Sequence, residues 1–95
     1  MKSKYFELGQ TFCTYGINNA MNDNDLFRQQ VFRSLERHCR KDWGELGEED
    51  KALNDGAVKN GDDRIFSAYE TCEGRVWIIT EADRSATTIL FPSEY

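Results

Sequence analysis

The stretch from residue 77 to residue 92 most constrains what this chain can fold into. It contains two apolar, β-branched runs, Trp77–Thr80 and Thr87–Phe91, on either side of a short charged link. Runs of this length and composition are typical of strands, and the link is short enough to join them as a hairpin. The link, from Glu81 to Arg84, carries more charged groups than a turn requires, so it is also a candidate for a function.

The rest of the C-terminal third continues the strand pattern. The sequence predicts a three-stranded antiparallel meander of residues 64–70, 75–81 and 86–91, with a first turn at Cys72-Glu73-Gly74. Because the middle strand is apolar on both faces, we expect it to be central and covered on both sides. Residues Tyr5 to Leu8 are a candidate fourth strand at an edge of the sheet.

Helical patterns fill the part of the chain before the strands. The spacing of apolar residues predicts helices over residues 11–21, 25–41 and 47–59, the second of them most clearly. Helices followed by strands are typical of an α+β domain, with about three N-terminal helices packed on one face of the sheet. With a length of 95 residues, we expect a single domain covering residues 1–95.

Composition restricts the classes of function. The net charge of −5 argues against direct nucleic-acid binding, which needs clustered Lys and Arg. The three cysteines, Cys13, Cys39 and Cys72, are too far apart for a zinc site and fit a reducing compartment. No apolar run is long enough to span a membrane. We therefore expect a cytoplasmic protein with no metal, no cofactor and no membrane partner.

The middle of the chain is strongly acidic. Residues 42–63 contain eight Asp and Glu residues against two Lys. A surface of this charge predicts a protein partner with a basic surface. The candidate partner-binding residues are Asp42, Glu45, Glu48, Glu49, Asp50 and Asp55. The alternative interpretation is structural, because carboxylates in the first turn of a helix are stabilised by the helix dipole.

A second set of residues is a candidate polar site for a nucleotide-like ligand or for catalysis. Its members are His38, Trp43, Arg64, Glu81, Asp83, Arg84 and Thr87. Trp43 would stack on the ligand and the arginines would hold phosphate. Structural alternatives remain open: His38 caps its helix or packs on Trp43, Trp43 is a core anchor, and Arg84 bridges Glu81 and Asp83. No catalytic motif is present, so no catalytic residue is assigned and the balance is against an enzyme.

Several longer runs carry a resemblance to a known family. They are Phe6-Glu7-Leu8-Gly9-Gln10, Arg37-His38, Asp42-Trp43-Gly44-Glu45, Glu49-Asp50, Asn54, Arg64-Ile65-Phe66-Ser67-Ala68-Tyr69, Trp77-Ile78-Ile79-Thr80-Glu81-Ala82-Asp83-Arg84-Ser85, Thr87-Thr88-Ile89-Leu90-Phe91-Pro92 and Glu94-Tyr95. On these, the chain resembles small plasmid-related proteins of bacterial plasmids, integrative elements and phages. Some of those proteins carry the label of type I restriction-modification M subunits, but this chain is too short for a doubly wound cofactor-binding fold. Lys41 stands where the family has Gly.

The resemblance implies a mobile-element setting. Small acidic proteins of that setting often block defence systems, so it implies a non-enzymatic inhibitor of a bacterial defence complex, anti-CRISPR or anti-restriction. The expected partner is a CRISPR effector or a restriction nuclease subunit, contacted through the acidic surface. The alternatives are the ligand-binding protein or enzyme described above, and an accessory module that forms a homodimer through a sheet edge or through its helices.

Overall fold

The computed structural model describes residues 1–95 and contains three α-helices and one four-stranded sheet. In chain order the elements are β1 (Gln10–Cys13), α1 (Tyr15–Asp23), α2 (Asp25–Cys39), α3 (Glu48–Asn60), β2 (Ile65–Thr71), β3 (Gly74–Thr80) and β4 (Ala86–Leu90), followed by a short 3-10 helix (Pro92–Glu94). The predicted α+β class is confirmed. No helix has the length and apolar character that a membrane span requires.

The sheet is mixed, with the strand order β1-β4-β3-β2. β2, β3 and β4 pair antiparallel in sequence, whereas β1 pairs with β4 in parallel. The prediction of a three-stranded, purely antiparallel sheet is therefore wrong. Residues 11–13, predicted as helix, belong to β1, because the peptide groups around them bond to β4: Gln10 N donates to Ser85 O at 3.0 Å and Thr14 N donates to Ile89 O at 3.1 Å. Helix α1 begins only after Thr14, whose side chain caps it.

The prediction of an edge strand from Tyr5 to Leu8 is also wrong, because this segment pairs with no strand. The segment instead crosses the end of α2. The ring of Phe6 packs edge-on against the ring of His38, with 5.5 Å between centroids. Leu8 is buried and its carbonyl oxygen accepts a hydrogen bond from Thr87. Side-chain packing against α2 therefore determines the path of this segment.

The main core lies between α1, α2 and one face of the sheet, which we call the inner face. Its centre is a stripe at i, i+4 spacing along α2, formed by Phe27, Val31 and Leu35, which are all buried. The cluster consists of Ile17, Phe27, Val31, Leu35, Tyr69, Val76, Ile78 and Ile89. The opposite, outer face of the sheet carries aromatic residues: the ring of Trp77 packs edge-on against Phe66 and Tyr95, at centroid distances of 5.1 and 5.7 Å.

Helix α3 packs against the free edge of β2 and satisfies its peptide groups. The side-chain amide of Asn54 donates to Phe66 O and accepts from Phe66 N. Ala68 is the next residue of β2 whose peptide groups point away from β3. Its N–H donates to Trp43 O, and its carbonyl oxygen accepts from Glu45 N. Gly44 between them has a φ of 73°, and a Cβ on it would lie 1.9 Å from Ala68 O. Only glycine fits this approach of two backbones.

Candidate functional site

A continuous chain of hydrogen bonds runs through the inner side of the sheet. His38 Nδ1 lies 2.6 Å from Ser67 Oγ, and His38 Nε2 lies 2.9 Å from Thr80 Oγ1. Thr80 Oγ1 lies 2.8 Å from Thr87 Oγ1, which donates to Leu8 O at 2.7 Å. The four polar side chains have no exposed surface. We call Ser67, His38, Thr80 and Thr87 the buried chain; it joins α2 to three strands and to the N-terminal segment.

The position of each proton in the buried chain follows from counting donors. The hydroxyl proton of Thr87 is used for Leu8 O, so Thr80 must donate to Thr87. Thr80 must then accept from His38, which places the imidazole proton on Nε2. The unprotonated Nδ1 accepts from the hydroxyl of Ser67. Every donor has an acceptor, and no buried side-chain nitrogen or oxygen is left without a partner.

The buried chain has a structural rather than a catalytic geometry. Burial lowers the pKa of His38 to about 3, because the imidazolium would lose its water shell. A general base needs a pKa near the working pH and contact with the substrate. His38 has a pKa far below neutral and no exposed surface, and Asp42, four residues further along the chain, binds Arg37 at 2.7 Å. Packing of His38 against Trp43 is confirmed, with ring centroids 5.8 Å apart.

Trp43 is a core anchor, as the structural interpretation predicted. It is only 3% exposed and packs with Ala57 and Ile65. Its indole Nε1 donates to Asp55 Oδ1 at 3.0 Å, which ties the segment after α2 to α3. A ring with this burial offers no free face for a stacked ligand.

The charged link between β3 and β4 is fixed by Arg84 in a way that sequence reasoning did not foresee. Its guanidinium bonds to backbone carbonyls: Asp63 O at 2.6 Å, Ala57 O at 2.9 Å, and those of Glu81 and Ala82. The predicted bridge between the Glu81 and Asp83 carboxylates is wrong. Arg84 instead contacts the C-terminal end of α3, where Ala57 O also accepts from Gly61 N at 2.8 Å and where the helix dipole favours a cation.

The predicted acidic residues divide into two groups. Asp42 and Asp55 are exposed but bind other side chains, the first Arg37 and the second Trp43, and the hydrogen bond from the Arg37 guanidinium lowers the pKa of Asp42. The other four are also exposed, and they take part in no ion pair. They are Glu45, Glu48, Glu49 and Asp50, which we call the acidic surface. Three of them form the first turn of α3, whose N-cap residue Gly47 supplies no side-chain hydrogen bond.

The residues of the predicted polar site do not converge. His38 and Thr87 are buried, whereas Glu81 and Asp83 are exposed on the link between β3 and β4. Asp83 accepts from the backbone N–H of Ser85, which together with the Ser85 side chain lowers its pKa. Of the seven residues, only Arg64 lines a surface cavity, of about 150 Å³. No group of three or more His, Cys, Asp or Glu is arranged to hold a metal ion.

Sequence reasoning missed the partners of His38. Ser67 and Thr80 were assigned only to strands, although a polar residue at an inward position of an apolar strand indicates a buried hydrogen-bond partner. Ser67 lies two residues from Ile65 and two from Tyr69, so all three side chains share the inner face of β2. This spacing in the sequence could have indicated that the hydroxyl of Ser67 is buried. Leu53, 69% exposed on α3, was taken only as part of an apolar helix face.

Comparisons of the chain with protein-family models, with curated proteins and with solved structures gave no match.

Proposed function

We propose that this protein is a non-enzymatic inhibitor that binds a basic surface of a bacterial defence complex through its acidic surface. The observation that carries the proposal is the division among the acidic residues. All six side chains are exposed, but Asp42 and Asp55 bind other side chains of the fold, whereas Glu45, Glu48, Glu49 and Asp50 are in no ion pair. Unpaired carboxylates on one helical turn give a concentrated negative potential, which speeds association with a basic partner.

An exposed leucine beside these carboxylates supports a protein partner. Leu53 lies four residues after Glu49 and three after Asp50 on α3, so the three side chains share one side of the helix. Leu53 is 69% exposed. Protein interfaces combine an apolar centre with a polar rim, and a few central residues carry most of the binding free energy. Leu53 fits the role of the centre.

The negative charge extends beyond the first turn of α3. Asp50 and Asp63 line the same cavity of about 150 Å³ between α3 and the start of β2. Asp62 and Asp63 are exposed in the loop that follows α3. A basic partner would therefore meet carboxylates on both sides of Leu53. At this position the arrangement favours a broad protein surface over a small ligand, since this cavity is smaller than typical ligand sites of about 300 Å³ or more. The two larger cavities, of about 340 and 350 Å³, lie beside the N-terminal segment and away from these carboxylates.

The identity of the partner as a defence complex rests on the resemblance to plasmid-related proteins. Nucleases of CRISPR and restriction systems bind nucleic acid through basic channels. A compact acidic protein that occupies such a channel excludes the nucleic acid, and no chemical step is needed. This accounts for a chain in which the one histidine is buried and no ligand pocket collects the polar residues.

The test is a triple charge reversal, Glu48→Lys, Glu49→Lys and Asp50→Lys, with Glu7→Lys, Glu36→Lys and Glu81→Lys as the control. Both triples change the net charge equally, and the control side chains are exposed. Tagged parent and variants are used to capture partners from a host that carries CRISPR and restriction systems. The captured complex is then assayed for nuclease activity in their presence.

We expect the parent and the control to capture a nuclease subunit and inhibit it, with affinity falling as salt is raised. The α3 triple should bind at least about tenfold more weakly. A triple that inhibits as well as the parent would show that the acidic surface is not the contact. If the captured protein is unrelated to defence, the proposed identity of the partner as a defence complex is rejected. Circular dichroism verifies that each variant is folded.

A further inference from the structure

The two edges of the sheet differ in how they are protected. At the free edge of β2, the peptide groups of Phe66 and Ala68 are hydrogen-bonded by Asn54, Trp43 and Glu45, as described above. The other edge, β1, has no such cover, and all four of its residues are exposed. Proteins usually protect edge strands with charged residues, proline or covering segments. β1, with the sequence Gln-Thr-Phe-Cys, has none of these.

The hydrogen bonds of β1 identify which of its peptide groups are free. Gln10 N and Thr14 N donate to β4, so the even-numbered residues face β4. Successive peptide groups of a strand point in opposite directions within the plane of the sheet. The N–H and C=O groups of Thr11 and Cys13 therefore point away from β4, into solvent. The edge therefore presents two N–H and two C=O groups spaced two residues apart. Water can hydrogen-bond these exposed groups singly, whereas one extended chain pairs with all four in a single ladder.

We propose that a second copy of this protein occupies the edge, with the two β1 strands antiparallel about a two-fold axis at Phe12. In this register Thr11 of one copy lies opposite Cys13 of the other. One such Thr11–Cys13 pair lies on each side of the axis, and each is a hydrogen-bonded pair. Each copy therefore forms hydrogen bonds with the N–H and C=O groups of both Thr11 and Cys13. An isologous contact of this kind closes on itself and forms a dimer, not a fibre.

The position of Phe12 supports a second copy over an unrelated strand. Phe12 pairs with Thr88 in the sheet, so its side chain lies on the outer face, and it is 49% exposed. The two-fold axis places the two Phe12 side chains opposite each other as a non-hydrogen-bonded pair, the closest type of cross-strand pair. Each ring then covers the apolar surface of the other. The two four-stranded sheets become one eight-stranded sheet with Phe12 at its centre.

The experiment compares two phenylalanines with nearly equal exposure. Phe12→Lys places like charges opposite each other at the axis, whereas Phe32→Lys makes the same change on α2, where Phe32 is 51% exposed. Sedimentation equilibrium is measured over about a hundredfold range of concentration, since a dimer responds to protein concentration. We expect a dimer for the parent and for Phe32→Lys, and dimerisation weaker by about tenfold or more for Phe12→Lys.

Cross-linking adds a geometric test. In a Cys13→Ser and Cys72→Ser background, we expect Phe12→Cys to form a disulfide-linked dimer under mild oxidation, and Phe32→Cys not to. A parent that is monomeric at every concentration overturns the proposal, as does a dimer that Phe12→Lys leaves intact. Equal loss in both lysine variants also overturns it. The proposal is independent of the proposed function: an inhibitor that fails at the acidic surface can still dimerise through β1.

Discussion

The pH dependence of stability gives a direct test of the buried chain. His38 is the only histidine of the protein, and burial lowers its pKa to about 3 in the folded state. In the unfolded state an exposed histidine has a pKa of about 6.5. Between these values the unfolded chain binds a proton that the folded protein does not. The free energy of unfolding is therefore highest above pH 6.5 and falls as the pH is lowered toward 3.

The magnitude follows from the separation of the two pKa values. Each pH unit well inside the window is worth about 1.4 kcal/mol, so the loss between pH 7 and pH 5 amounts to about 2 kcal/mol. The pKa values of Asp42, Asp83 and Glu94 are lowered in the folded protein, and because unfolded Asp and Glu have pKa values of about 4, these carboxylates change the stability mainly below pH 5. At pH 3 the loss due to His38 reaches about 4 kcal/mol, close to the whole stability of a small domain. The protein should therefore unfold in acid before its carboxylates are fully protonated.

The assay is urea denaturation of the parent and of His38→Gln at pH 7, 6 and 5. The parent should lose about 2 kcal/mol over this range. His38→Gln, which has no titrating group at this position, should lose much less. Independently, NMR of the parent should show a neutral imidazole protonated at Nε2 throughout. A free energy of unfolding that is constant between pH 7 and 5 would refute the reasoning, as would a His38 that titrates near pH 6.5.

Two further predictions concern the free edge of β2. Asn54→Ala removes both bonds to Phe66 and should lower the free energy of unfolding by about 2–4 kcal/mol in urea denaturation; a loss below about 0.5 kcal/mol would contradict the role of Asn54. Gly44→Ala forces a Cβ against Ala68 O at a φ of 73° and should cost at least about 2 kcal/mol. Its control is Gly56→Ala, a helical position with nothing within 4 Å, which should stabilise by about 0.5–1 kcal/mol; equal effects of the two alanines would reject the backbone argument.

The elements that the sequence predicted well are those with local signals. The i, i+4 stripe of α2 and the apolar, β-branched runs of β3 and β4 are features of consecutive residues. The boundaries agree to within about two residues, because Asn24 caps α2 and Gly61 ends α3 with left-handed geometry. Where the predictions were wrong, the cause was long-range. The residues of β1 have helical spacing, but parallel pairing with β4 determines their conformation.

The candidate sites also combine features that the sequence shows locally with features that depend on long-range contacts. The sequence was sufficient to locate the acidic residues, and it left packing on Trp43 as one of several interpretations of His38. It did not show that Arg84 binds the carbonyls of α3, nor that Asp42 and Asp55 are occupied. Exposure and pairing of a charged residue depend on which distant groups approach it. A count of carboxylates therefore overestimates the surface that is free to bind.

The sequence by itself determined the α+β class, the extent of most helices and strands, and the acidic middle of the chain, since each depends on neighbouring residues. Only the tertiary structure decided that the sheet is mixed, that Ser67, His38, Thr80 and Thr87 form one buried chain, and that β1 has an open edge. Hydrogen bonds of these kinds join residues up to 79 positions apart. Their partners are selected by the packing of the whole chain, because every buried donor and acceptor must find a partner there.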